Sequence, residues 1–575
     1  MKKTAYLLSL LIGSVIMGSC SDFLDSKNIY SVASDNYYKN PEQLNEALAG
    51  VYNAFYAPYQ TSDEHLVAML LEDVTFAGGG TDDTETRNIA EFVDPLENTH
   101  HDLWLQTYRG VARVNVIIES VANNDFSGSF NTSAEAEAFK NNTLGEAHFL
   151  RGFLMFRAAR FFGGMPVITT AVGPYNVARA SFTETFAQIA SDFKKAAELL
   201  SEQKVSGMKL AEYGHANRWV AKGYLARTYL FYTGYQTNIE KQATDVLPLA
   251  EGGELTKTLV VKHLEDVINL SGYELTPDFR NLWPYAYVNQ SAGQTVLPWA
   301  ADNNLAWVGQ DGPESKIGTG NREVMFALRY TNAADWGETQ PTRNWVTLFC
   351  GIRKNSLVPF GEGWGLGTVH PTFFSSWNDD DTRKVGSVLV MGDESQGTQK
   401  YKPVQGNHET GLFNKKYTNL QHPNASGEII GMFRNIYGNG ENSYMLWHAQ
   451  DFYYLRFADI LLMHSELTGT ATGLNKVHQR AYGEKHVDLA YSLEALKEER
   501  LREFAFEGIR WFDLVRWGDV ASTNNYYNKE AEVTMENGSV VKYKVTYRPE
   551  TKGLRPIPES EVRLSNGAYT QNPGW

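Results

Sequence analysis

Cysteine is almost missing from this chain: Cys20 and Cys350 are the 2 thiols in 575 residues. So few thiols exclude a disulfide framework, so the fold must be held by packing. A surplus of positive charge is missing too: 52 Lys and Arg stand against 67 Asp and Glu, a formal charge of −15. Nucleic acid and anionic membrane surfaces both require a basic face, and no run of Lys and Arg supplies one locally. Long apolar runs are confined to Ala5–Met17, which is too short to span a bilayer as a helix. Enzyme signatures are also lacking. No Gly-x-Ser-x-Gly, no Gly-x-x-x-x-Gly-Lys-Ser/Thr and no His-Glu-x-x-His occurs. No carboxylate pair stands out as a glycosidase acid and base. The sequence therefore points to no enzyme, no cofactor and no metal.

What the chain has in quantity is aromatic side chains, 13% of the residues, including 13 Trp and 31 Tyr. These combine an apolar face with a polar tip and serve recognition surfaces as well as cores. The first residues have the form of an export signal: Lys2 and Lys3, the apolar run, then Met17-Gly-Ser-Cys20. That ending resembles a lipobox, which makes residues 1–19 a lipoprotein signal peptide and Cys20 the lipidated residue. Cleavage would remove Lys2 and Lys3 and take the charge from −15 to −17. Cys350, after Leu348-Phe349, reads as a small buried hydrophobe rather than a nucleophile.

Apolar residues at a spacing of three and four predict helices over about 41–56, 66–76, 102–122, 134–162, 183–200, 215–235 and 261–270. Small residues on their apolar faces, such as Ala221, Gly223 and Ala226, suit close helix pairing, so residues 20–271 read as an array of helical hairpins. Gly78–Gly80 reads as a flexible hinge, and 81–99 as a long acidic loop. From 272 to about 444 Gly, Pro, Asn and aromatics take over, with strand-like runs at 323–330 and 384–391. Helices return over 451–467, 474–482 and 492–517, and Asn537-Gly538 marks a β-hairpin. The stretch Glu498–Trp517 carries opposite charges three residues apart at Glu507/Arg510, Arg510/Asp513 and Asp513/Arg516, a spacing that pairs them along one helix.

Five motifs in order resemble the SusD/RagB family of surface lipoproteins. They are Glu146–Phe156 with Phe162-Gly-Gly-Met-Pro-Val; Gly363-Trp-Gly365 with Trp377–Arg383; Tyr453–Glu466; Glu498–Trp517; and Leu554–Pro558 with Gln571–Trp575. The resemblance implies a mainly α fold: a tetratricopeptide-like helical-hairpin scaffold with a packed irregular, loop-rich subdomain containing short strands and a β-hairpin. Residues 20–271 and 272–575 are then the helical and C-terminal regions of one integrated unit. It implies a surface-exposed place on the outer membrane and a SusC-like TonB-dependent barrel as partner. Its ligands are oligosaccharides or, in the RagB branch, peptides.

Sugars offer apolar C–H faces rimmed by hydroxyls, which aromatic platforms and planar polar side chains recognise. The irregular segment supplies Trp283, Tyr285, Tyr287, Trp299, Trp307 and Trp336 among Asp302, Asn303 and other amides. These are the ligand-binding candidates, and two or three of the rings are expected to face solvent together. Trp364 reads as structural, and the family resemblance implies that the loop at about 73–101 contributes to the ligand face together with this segment. His100-His101 reads as a solvated helix start, and Asp379-Asp-Asp381 as a helix cap paired with Arg383 rather than a cation loop.

Overall fold

The computed structural model describes residues 37–57, 63–93, 99–174, 176–288, 297–311, 320–331, 343–402, 406–437, 448–522 and 525–575. Cys20, the export signal and Trp336 lie outside them.

The helical half opens with α1 (Pro41–Tyr52), capped by the Asn40 side chain and started by Pro41 in its first turn. After α2 (Glu64–Leu70), the chain turns into a strand, β1 (Thr75–Gly78), where the sequence pattern continued the helix. A short helix, α3 (Thr84–Ala90), then occupies part of the expected acidic loop. The scaffold proper comprises α4 (His101–Asn123), α5 (Ser133–Phe162), α6 (Phe182–Leu199), α7 (Arg218–Asn238) and α8 (Lys257–Leu270). Each packs on the next in sequence, and α5 and α6 both begin with reciprocal capping boxes, Thr132/Glu135 and Ser181/Glu184.

The second half contains β2 (Val324–Leu328), β3 (Leu366–Val369) and β4 (Phe452–Arg456). The helices α9 (Phe457–Thr468), α10 (Thr472–Tyr482), α11 (Leu493–Glu503) and α12 (Arg510–Trp517) follow, and the hairpin β5 (Ala531–Thr534) with β6 (Val540–Tyr543) closes the list. All paired strands among the described residues are two-stranded ribbons. One of them stitches the halves together: β1 pairs antiparallel with β3. Gly78 makes that crossing possible, because a Cβ there would lie 2.2 Å from the Gly365 carbonyl oxygen. Gly78, Gly79 and Gly80 are all buried, so they form a close-packed crossing rather than a hinge. No helix among the described residues is long and apolar enough to cross a membrane.

Two other expectations give way for local reasons. Residues 451–467 do not form one helix: Phe452–Arg456 pair with β2, as their β-favouring aromatics allow. Residues 492–517 split at Phe506 and Gly508, whose φ values of 65° and 69° end α11 before α12 begins. The break redirects the charges. Glu507 turns inward to Lys416 Nζ at 2.7 Å, and Arg510 reaches Asp73 at 3.0 Å; of the three expected helical pairs, Asp513–Arg516 forms, at 2.8 Å.

Candidate ligand-binding site

Among the described residues the aromatic segment does not form the expected open platform. Trp283, Tyr285, Tyr287 and Trp307 are 0–3% exposed, which is core rather than surface. Tyr287 and Trp307 pack edge-on against each other at 6.0 Å, and for Trp283 and Tyr285 the physical reason is a pair of buried ammonium groups. Lys416 lies 5.0 Å from the Trp283 ring centroid and 5.0 Å from that of Phe279. Lys415 lies 5.0, 4.5 and 5.5 Å from the centroids of Tyr285, Trp299 and Phe360. Electron-rich ring faces compensate cations that have lost their water. The Tyr285 hydroxyl donates to the Gly386 carbonyl at 2.7 Å, which ties this ring further inward. Burial still pushes Lys415 down to about 7 and Lys416 down to about 8. Of the remaining candidates, Trp299 is half-buried, Asp302 is exposed, and Asn303 is half-buried with its amide donating to the Trp299 carbonyl at 2.8 Å.

Other readings of chemistry-bearing residues resolve more simply. Cys350 is buried and desolvation pushes its thiol up to about 12, so it is inert. Asp381 caps a short helix through the Arg383 backbone N–H and pairs with that guanidinium at 2.8 Å. His101 is held by Glu561 at 3.0 Å, and the neighbouring His100 is buried rather than solvated. No group of three potential metal ligands occurs among the described residues.

An aromatic cleft does exist, in a part of the chain that composition did not single out. It measures about 480 Å³ and is lined by Tyr52 and Tyr56, by Tyr213, Gly214 and His215, and by Leu328 and Arg329. Tyr52 ends α1, and Tyr56 follows after a single 3-10 turn, Asn53–Phe55, with extended backbone of its own. Tyr213–His215 come from the turn before α7, and Arg329 directly follows β2.

The hydroxyls of all three tyrosines are engaged within the protein. Tyr52 donates to Glu146 Oε1 at 2.6 Å and accepts from the Ala216 N–H at 2.8 Å. Tyr213 donates to the Val324 carbonyl at 3.1 Å, and Tyr56 to the Arg329 carbonyl. What remains to the cleft is mainly ring surface. Planar polar groups border it: the Arg329 guanidinium sits 5.5 Å over the Tyr213 ring, and the His215 ring meets Tyr52 edge-on at 5.3 Å. A hydrogen bond of 2.6 Å to the Glu146 carboxylate raises the His215 imidazole above its ordinary pKa.

At Ala49 and His215 this cleft meets a second, of about 600 Å³, whose walls include the amides of Asn45, Asn142, Gln203 and Asn217. A tyrosine-lined hollow running into an amide-rich one presents apolar faces and then hydrogen-bonding groups. The only sequence signal for it was the closeness of Tyr52 and Tyr56 in the chain; Tyr213 and Arg329 join through tertiary contact alone.

Residues 310–575 match the family described as the SusD family, and residues 22–230 match one described as starch-binding associating with outer membrane. The chain belongs to the SusD/RagB family. Its relatives include SusD-like protein P2 of Formosa agariphila, 22% identical over 605 residues with 100% of both chains covered. A SusD-like protein of Bacteroides ovatus is 22% identical over 549 residues, covering 91% of this chain and 85% of the relative. Among solved structures, surface glycan-binding protein A of Bacteroides thetaiotaomicron, in complex with laminarihexaose, superposes with a TM-score of 0.68 at 19% identity, covering 93% of this chain and 100% of that one. A laminarin-binding SusD-like protein gives 0.67 at 21% identity, covering 94% and 100%. These structures share the fold: helical hairpins of tetratricopeptide type carrying an irregular half.

Proposed function

We propose that this protein is a non-catalytic glycan-binding protein of the outer-membrane surface, and that its tyrosine cleft holds the oligosaccharide. The observation that carries this reading is the convergence of Tyr52, Tyr56 and Tyr213 with His215 and Arg329 around one open hollow. Ring faces suit the C–H faces of pyranoses, and the imidazole, guanidinium and neighbouring amides suit their hydroxyls. Membership of the family, and the naming of two structural neighbours for glycan or laminarin, support it. Calorimetry against a glycan panel that includes laminarin oligosaccharides, run beside a peptide pull-down, tests it. Tyr56→Ala and His215→Ala should each weaken the retained glycan about tenfold, about 1.4 kcal/mol. Unchanged affinity in both variants, or retention of peptides alone, overturns the reading.

The protein is further read as anchored through Cys20 and as delivering its ligand to a SusC-like TonB-dependent barrel. The lipobox-like Met17–Cys20 and the outer-membrane description of the matched N-terminal family support this. A lipoprotein Cys carries two or three acyl chains, and anchoring of that kind is stable where a single chain is marginal. Cys20→Ala should move the protein from the membrane pellet to the soluble fraction; firm membrane association of the variant refutes the anchor.

A further inference from the structure

A third cleft, of about 480 Å³, opens between the segments Lys354–Val358 and Gly397–Lys402. It gathers three lysines, Lys354, Lys400 and Lys402, that lie up to 48 positions apart in the sequence, and all three are exposed. The chain as a whole carries −15, so this is a local reversal of charge that no run of basic residues announces. Lys354 has one carboxylate near it, Glu536 at 4.0 Å. Lys400 and Lys402 make no side-chain ion pair among the described residues. A fourth ammonium, Lys415, lies buried behind the cleft. It donates to Gln396 Oε1 at 3.1 Å, beside Gly397 on the rim.

The arrangement is built rather than incidental. Asn355 ties the two segments together: its amide donates to the Lys402 carbonyl at 3.0 Å and its Oδ1 accepts the Lys402 N–H at 3.1 Å. Lys354 is held at φ 51°, a left-handed conformation that a side-chain-bearing residue rarely adopts. The half-buried Trp299 backs the wall, 3.5 Å from where a Cβ on Gly397 would stand. Ser356 and Gln399 add a hydroxyl and an amide between the lysines.

We propose that this cleft binds an acidic sugar, a residue carrying a carboxylate or a sulfate ester, on the glycan that the protein captures. Three exposed ammonium groups line one hollow, and Glu536 is the one carboxylate within ion-pair distance of any of them, so an anion entering the hollow meets more positive than negative charge. The hollow has room for a substituted pyranose. A protein partner would instead need about 800 Å² of surface on each side. The proposal extends the glycan reading by naming the substituent, and the lysine cleft shares no lining residue with the tyrosine cleft, so the two readings fail separately.

The test titrates the mature protein with a hexasaccharide of galacturonic acid, a sulfated carrageenan hexasaccharide and neutral laminarihexaose. At least one acidic probe should bind, with affinity falling as salt rises from about 50 to about 200 mM. The double variant Lys400→Ala/Lys402→Ala should weaken that acidic probe about tenfold while leaving neutral-probe affinity and the urea midpoint unchanged. Preference for the uronate or for the sulfate names the anion. The proposal is overturned if neither acidic probe binds at low salt, or if the double variant binds them as the parent does. It is also overturned if Tyr56→Ala, and not the lysine changes, removes acidic binding.

Discussion

Glu503→Gln is expected to lower the unfolding free energy by about 3–5 kcal/mol, the cost of removing one partner from a buried ion cluster. Glu503 stands at the end of α11, fully buried, among three guanidinium groups: Arg456 at 2.6 Å, Arg480 at 2.5 Å and Arg383 at 3.2 Å. Those cations are shared in turn with Glu323, Glu499, Glu507 and Asp381. Burial opposes ionisation of Glu503, but the Arg480, Arg456 and Arg383 charges overcome it and hold the carboxyl far below its usual range. Because the folded pKa is depressed, this stability is present above the unfolded carboxylate value and is lost as pH falls through it toward the folded one. Urea unfolding of parent and variant between neutral and acid pH reads both features. The variant should start lower and show a shallower acid dependence. A loss under about 1 kcal/mol at neutral pH would show that the cluster is not what holds α10 and α11 to the strands.

The second large effect is expected at the seam between the two halves. Phe153, on α5, is 1% exposed. Its ring lies 4.8 Å from Phe55, 5.2 Å from Tyr224, 5.3 Å from Phe326 and 4.9 Å from Tyr454, measured between centroids. Phe326 and Tyr454 belong to β2 and β4, so this one aromatic cluster joins the helical scaffold to the irregular half. Phe153→Ala should cost about 3–5 kcal/mol, the sum of lost transfer energy and the cavity left behind. Phe153→Leu should cost markedly less, because more of the volume is kept. Equal and small losses in both variants would mean that the seam repacks and that the halves are joined elsewhere.

Helices α4 to α8 could be read directly, because each repeats its apolar positions over several turns, and α5 to α8 also begin with a capping side chain. Gly508 could not: in a periodic stretch it looks like a small residue on an apolar face. Its left-handed backbone, beside that of Phe506, is what splits the stretch in two. The aromatics from Trp283 to Trp307 misled for a related reason. A ring that faces a sugar and a ring that faces a buried lysine look alike in sequence. Lys415 and Lys416, which decide the matter for Trp283, Tyr285 and Trp299, lie more than a hundred positions further on.

The sequence by itself determined the helical scaffold and the family, because these depend on local periodicity and on contiguous motifs. Tertiary structure alone decided where the clefts lie. The tyrosine cleft draws on α1, the turn before α7 and the end of β2, and the lysine cleft draws on two segments joined by Asn355. Contacts between distant segments leave no periodic trace, so neither surface is visible until the chain has folded.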